Sequence, residues 1–379
     1  MRIVIAPDSF KETATAMEVA TAIEAGLKPE LPDATIIKCP MADGGEGTVQ
    51  SLVDATVGKL VTTQVTGPVG QPVEATYGIL GDHQTAVIEM AEASGIHLVD
   101  RDVKDPKITT SFGTGELIRH ALDAGVEKFI VGIGGSATND AGAGMLQALG
   151  VHFYDEAGLE LGPGGAALGQ LARIDATGLD SRLKDVKIRV ACDVDNPLLG
   201  ETGASAIYGP QKGATSEDIV LLDRALENFA DLVEPDCGHD IRSAKGAGAA
   251  GGLGAAFLAY LPATLERGAT IVSDVVGLKQ HISHADLVIT GEGGVNHQTI
   301  YGKTPIHVAK VAKSFDLPVI ALCGSVSNGY ETVFEGGIDA VFSTLTELTD
   351  LETLAETTPQ HIQKTARNVA RLLKIRLNL

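Results

Sequence analysis

The sequence predicts an α/β fold, with a parallel-sheet body at both chain ends and a mixed α/β insert between them. Three observations lead there. Short apolar runs alternate with helical stretches at both ends, the pattern of a parallel sheet with crossover helices. Residues 60–90 break that pattern: Gly67-Pro68, Gly70-Gln71-Pro72 and Gly81-Asp82 separate short strands, as in an antiparallel meander. Several strands run into glycine loops carrying acids, hydroxyls, amides or lysines, and in open parallel sheets ligands bind at such carboxyl edges.

In chain order, the predicted strands cover 2–6, 34–39, 60–66, 73–80, 84–90, 128–133, 151–154, 187–192, 286–290, 318–323 and 339–343. The predicted helices cover 15–28, 46–57, 114–124, 141–149, 216–233, 304–314 and 360–376. The run 363–376 is basic and amphipathic and reads as a surface helix. Residues 246–265 lack charges over a span-like length, but five glycines and Pro262 make a buried loop and helix the better reading.

A chain of 379 residues suggests two domains. A net charge of −20 argues against nucleic acid or an anionic membrane as the main partner, since both require a basic surface. The four cysteines, Cys39, Cys192, Cys237 and Cys323, are far apart and form no C-x-x-C pair. They fit buried thiols in a reducing cytosol, and the opening strand leaves no signal peptide, so a cytoplasmic protein is expected.

Five clusters carry the chemistry. In Ala6-Pro7-Asp8-Ser9-Phe10-Lys11, a strand delivers Asp8, Ser9 and Lys11 to the sheet edge; Asp8 or Ser9 as a mere turn cap is the alternative. In Met41 to Thr48, Asp43 and Glu46 either serve a metal or a proton transfer, or form an N-cap with its third-position acid. In Phe129 to Asp140, an apolar run reaches Gly134, Gly135, Ser136 and Thr138. Glycines let the backbone approach an anion, and a new helix points its N–H groups at it. Asp140 adds a charge suited to a metal. The same stretch has a rival reading, because Gly132 to Ala137 fits the dinucleotide pattern G-x-G-x-x-A and Asp155 ends the next candidate strand. Gly246 to Gly251 matches G-x-G-x-x-G without a preceding strand, which shows how little the bare pattern says.

The fourth cluster joins Asp193 and Asn196, after a β-branched strand, to Gln211 and Lys212 on a turn before a long helix. An acid, two amides and a lysine suit a small hydroxy acid. The fifth contains Glu292, Asn296, Gln298 and Lys303. It ends like a P-loop at Gly302-Lys303-Thr304, but His297 occupies the required glycine position, so no Walker motif exists. Lys303 remains available as a point charge for phosphate or carboxylate. The histidines show no zinc spacing, and there is no G-x-S-x-G elbow.

Together these motifs resemble the type I glycerate kinase family, the bacterial glycerate 2-kinases. The likeness runs in order through A-P-D-S-F-K at 6–11, A-D-G-G-E-G-T at 42–48, S-F-G-T-G-E-L-I at 111–118 and G-I-G-G-S-A-T-N-D at 132–140. It continues through A-C-D-V-D-N-P-L at 191–198, G-P-Q-K-G-A at 209–214, G-A-A-G-G-L-G at 248–254, T-G-E-G at 290–293 and G-K-x-P at 302–305. The resemblance implies ATP- and Mg²⁺-dependent phosphorylation of D-glycerate, usually to 2-phosphoglycerate; whether the chain is a monomer or homodimer stays open. It also implies a Rossmann-like (flavodoxin-like) domain from residues 1–60 and 285–379, with 61–284 inserted as a second α/β domain. One departure stands out: Asn296 occupies an aspartate position of the family motif, and an amide takes no proton at neutral pH.

On this reading Asp43, Asp193 and Lys303 are the catalytic candidates. Lys11, Lys212 and Lys303 supply cations, and Asp43, Asp193 and Asp140 are the candidate magnesium ligands. Asp8, Ser9, Glu46, Asn196, Gln211, Glu292, Asn296 and Gln298 complete the binding set. Gly134, Gly135, Ser136 and Thr138, with the 248–254 loop including Gly251 and Gly252, are candidate anion cradles. Which clusters take ATP and which take glycerate stays open. Two other readings stand beside it: a nicotinamide-dependent dehydrogenase, on Gly132 to Ala137 with Asp155, and a non-catalytic sugar-acid sensor, hinted at by Asn296.

Overall fold

The computed structural model describes residues 1–375 apart from His239, Gln298, Gly302, Leu348 and Thr349. The chain divides into two compact units. One holds Met1–Asp43, Gln50–Val57 and Ala269–Leu379; the other holds Gly44–Val49 and Gly58–Gly268.

In the chain-end unit five strands form one sheet in the order Thr35–Lys38, Arg2–Pro7, Leu287–Gly291, Val319–Cys323, Ala340–Ser343. Every neighbouring pair is parallel. Numbered within the unit this is order 2-1-3-4-5, the flavodoxin-like arrangement, and its direction of winding reverses between Arg2–Pro7 and Leu287–Gly291. Ile3, Ile5, Leu287, Ile289 and Leu322 build the core against the helices Ala16–Leu27 and Leu351–Leu373. Thr15 and Glu18 start the first helix with reciprocal bonds, a capping box. Gly26 lets the two helices approach, because a Cβ there would lie 2.4 Å from the Gln363 carbonyl oxygen.

The C-terminal helix begins at Leu351, nine residues before the expected 360, and continues through Pro359. Proline breaks the sequence pattern there, yet packing of Ile362, Ala366, Val369 and Ala370 into the core holds the helix. Its basic face closes on one acid: Arg367, Arg371 and Lys374 all reach Glu30, which they hold down at a pKa of about 2.

The second unit is built on a six-stranded sheet in the order Ala263–Glu266, Lys187–Ala191, Lys128–Gly132, Thr85–Glu89, Pro72–Ile79, Lys59–Thr66. The expected meander is present: Lys59–Thr66, Pro72–Ile79 and Thr85–Glu89 are antiparallel neighbours. From Thr85–Glu89 onward the pairs are parallel. The strand Ala263–Glu266 escaped the sequence reading, since it is short and follows Pro262. Residues 249–260 form a largely buried helix, Ala249–Tyr260, whose first turn is distorted at Ala250, Gly251 and Gly252.

Candidate active site

In the chain-end unit, the winding reversal places Asp8 and Glu292 one residue beyond neighbouring strand ends, and Asp8 N–H donates to the Gly291 carbonyl. Thr304, the first residue of the helix Thr304–Lys313, donates its hydroxyl to Asp8 Oδ2 at 2.6 Å, and Ser9 N–H donates to Oδ1 at 2.7 Å. Burial, the neighbouring Asp43 and, more weakly, Glu292 nevertheless raise Asp8 to about 6, partly opposed by the Thr304 and Ser9 bonds. Glu292 is buried and accepts from Thr299 Oγ1 at 2.6 Å and from Lys303 Nζ at 3.1 Å. Thr299 Oγ1 also accepts from Asn296 N–H. Asp8, Asp43, Glu292 and Lys303 thus form one charged cluster, while Lys11 is exposed. Gln298 lies outside the described residues.

In the other unit the working material is backbone. Loops follow Thr85–Glu89, Lys128–Gly132 and Lys187–Ala191, which are neighbours in the sheet. The 44–47 loop lies against two of these strand ends. A Cβ on Gly44, where φ is +91°, would sit 2.6 Å from Ala191 Cβ; one on Gly132 would sit 2.4 Å from the Gly44 oxygen. Gly134 and Gly135 are exposed, and Gly45 is Gly134's near neighbour. Asp193 and Glu46 are also exposed, and Asp193 Oδ1 accepts from Gly268 N–H at 3.1 Å.

Glu89 was not singled out in the sequence. It ends its strand, is 9% exposed, and accepts from Val49 N–H at 2.8 Å, in the first turn of the helix Thr48–Thr56. Burial raises it to about 7. This overturns the capping reading of Asp43 and Glu46, because the helix starts at Thr48 and its N-terminus is held by an acid from a different strand. No local pattern around Glu89 signals that role.

A glycerate kinase family model matches residues 3–374. The glycerate kinase of Bacillus subtilis (strain 168) is 56% identical over 99% of this chain and 98% of its own length. The glycerate 2-kinase of Escherichia coli (strain K12) is 51% identical with the same coverage. A crystal structure of a candidate glycerate kinase 2 from Salmonella typhimurium LT2 superposes with a TM-score of 0.92 at 53% identity, covering 99% of this chain and 98% of that one.

The chain belongs to the glycerate kinase family.

For this family member the dehydrogenase reading falls on its own geometry. A dinucleotide fingerprint must open directly into a helix, but after Gly132–Ala137 the helix starts only at Ala143. Asp155 follows His152–Tyr154, which pairs with Arg173–Asp175 in a separate two-stranded sheet, and its Oδ1 accepts from Leu159 N–H.

Several expected ligand residues are placed beneath the glycine loops, occupied with the protein itself. Lys212 is buried; its Nζ donates to Ser136 Oγ at 2.7 Å and to the Thr138 carbonyl at 2.5 Å. Burial lowers it to about 7, with Asp140 opposing. Asp140 is fully buried, and accepts from Ser111 N–H and Oγ–H, Gly142 N–H and Gly144 N–H. A carboxylate so saturated holds a loop and has little left for a metal. Gly251 and Gly252 are buried packing positions: a Cβ on Gly251 would lie 2.0 Å from the Thr138 oxygen. Asn196 braces its own loop, donating to the Thr202 carbonyl and accepting from Tyr208 Oη–H. Gln211 is exposed on the turn Pro210–Lys212.

Among the described residues no group of three or more His, Cys, Asp and Glu side chains is arranged to hold a metal, and no helix is long and apolar enough to cross a membrane. A cavity of 430 Å³, lined by Ser273, Asp274, Lys279 and Phe315 among others, shares no residue with either cluster.

Proposed function

We propose that this chain transfers the terminal phosphoryl group of ATP to a hydroxyl of D-glycerate, giving ADP and 2-phosphoglycerate. The observation that supports it most is the charged cluster of Asp8, Asp43, Glu292 and Lys303 at the winding reversal of a flavodoxin-like sheet, in a chain of the glycerate kinase family. Phosphoryl transfer requires positioning and charge neutralisation more than covalent chemistry. Lys303 and Lys11 neutralise phosphate or carboxylate charge. The exposed backbone N–H groups of Gly134 and Gly135 bind phosphate oxygens. Asp193 takes the proton of the attacked hydroxyl as its oxygen bonds to phosphorus and the bond to the ADP oxygen breaks.

Magnesium suits Asp8 with Asp43. Asp43 raises the cost of charging the half-buried Asp8, which a cation relieves. Mg²⁺ binds through one or two carboxylates plus phosphates and water, so the lack of a three-ligand cage is no obstacle. Bound there, it would neutralise phosphate charge. The chain ends and the insert act as separate domains, and a cytoplasmic location fits the substrates.

The test is incubation with MgATP and D-glycerate, with the product isomer identified by NMR and ADP release followed in parallel. Turnover with glycerate and little with lactate, which lacks the second hydroxyl, is expected. Equal rates with both, or none with glycerate, would sink the assignment.

A further inference from the structure

The strand Lys59–Thr66 ends the six-stranded sheet, so among the described residues one of its sides has no neighbouring strand. Hydrogen-bond alternation fixes which groups face that open side. Just past the strand, Gly67 N–H donates to the Gln71 carbonyl at 2.6 Å, in continuation of the Thr66–Pro72 register. Odd-numbered residues therefore bond to Pro72–Ile79, and even-numbered residues point their N–H and C=O groups outward. Thr66 agrees: its N–H reaches Glu116 Oε2 at 2.7 Å. A Cβ on Gly113 would lie 2.0 Å from the Thr66 oxygen, so the helix Phe112–Asp123 closes that end of the edge. Leu60, Thr62 and Gln64 are left with both backbone groups directed outward.

Edges are normally blunted by proline, bulges, inward charges or shortness. This one runs eight residues in unbroken register, has no proline, and carries a single charge, Lys59, at its start.

We propose that this edge pairs antiparallel with the same edge of a second copy of the chain, about a twofold axis at Thr62. Thr62 then faces Thr62 of the mate, and Leu60 faces Gln64 on either side. Each of the three outward residues exchanges both of its bonds. A twofold at Thr63 is excluded, since it would ask Leu60 to pair with Thr66, whose groups are already covered. Charge decides in favour of self-pairing. With Thr62 at the axis, Lys59 lies opposite Val65 of the mate. Val65 is buried on the core face, and Glu116 holds the adjacent Thr66 N–H. Each copy thus brings its lysine towards the other's glutamate. On a chain of net charge −20, where most surfaces repel their own copies, that is a selective feature.

The test is sedimentation velocity on the full chain. The wild type is expected to dimerise reversibly. Thr62→Lys and Thr62→Glu each oppose like charges at the axis and should be monomers with unchanged kcat, while their equimolar mixture recovers the dimer. Thr62→Pro, which removes an outward backbone N–H and the Thr62–Thr76 hydroxyl bond but no backbone bond to Pro72–Ile79, should also be monomeric. In the wild type, amide exchange at Leu60, Thr62 and Gln64 should slow as protein concentration rises. A wild type that is monomeric at every concentration reached overturns the proposal. So does a dimer that survives Thr62→Lys and Thr62→Pro in variants shown to be folded by circular dichroism.

Discussion

The chain-end unit and the inserted unit both collect polar groups at the carboxyl ends of parallel strands, but from different materials. In the chain-end unit charged side chains gather: Lys303 pairs with Glu292, and the charges of Asp43 and Glu292 help raise Asp8 to about 6. In the insert the glycine backbone of Gly134 and Gly135 is exposed together with the separate acids Asp193 and Glu46, while the charged side chains Lys212 and Asp140 are buried beneath as braces. A charged cluster can hold a cation or move a proton. A glycine loop can only offer N–H groups, and needs its shape held from below. The same residue types therefore mean different things in the two units, and their burial decides which.

The sharpest break would come at the charges that remain accessible. Lys303→Ala and Asp193→Asn should each lower kcat/KM by roughly a hundredfold or more, about 2.7 kcal/mol of lost transition-state interaction. A folded variant that keeps a third of the activity would remove that residue from the site.

Next come the glycines that bring the loops together. In Gly44→Ala the new Cβ meets Ala191 at 2.6 Å, on a backbone with φ of +91°. A destabilisation on the order of 1–3 kcal/mol is expected, read as a lowered Tm. An unchanged Tm would mean that the loop shifts freely and that Gly44 does not fix it against the strand ends.

The buried braces should show themselves in pH dependence. Lys212 titrates near 7 in the folded chain against about 10.5 when unfolded. Between those values the unfolded chain holds the extra proton, so stability rises with pH across that window and is flat below it. Lys212→Met should abolish this rise in urea-melt midpoints. Glu89 works in the opposite sense. Its folded value near 7 lies above the ordinary 4.5, so its contribution is full below 4.5 and is lost as pH rises through 7. Glu89→Gln keeps an acceptor for Val49 N–H and should flatten that decline, whereas Glu89→Ala should lower stability at every pH. Identical pH profiles in wild type and Glu89→Gln would show that the acid is not desolvated as described.

The smallest effect is expected at Asn296. Its N–H is held by Thr299, and Asp193 is the proposed base, so Asn296→Asp should change kcat by less than about threefold. A large gain would mark the wild-type site as impaired and revive the sensor reading.

Much of this was legible from residue order alone. The alternation of apolar runs and helices marked both sheets because a parallel strand must be apolar throughout, and turn residues marked the meander because only they reverse the chain tightly. The strand endings pointed to Asp8, Asp43, Asp193 and Glu292, since a residue following a strand is committed to the sheet edge, and the Gly302-Lys303-Thr304 turn ahead of a helix pointed to Lys303. Tertiary structure alone decided which polar groups remain exposed. Lys212 and Lys303 look equivalent in sequence, each beside a glycine turn ahead of a helix. One is buried on Ser136 and Thr138, and the other stays half-exposed, paired with the buried Glu292. Glu89 read as the end of a strand and became the cap of a helix that follows a different loop. Burial and long-range hydrogen bonding depend on residues tens of positions away, and a local pattern carries no record of them.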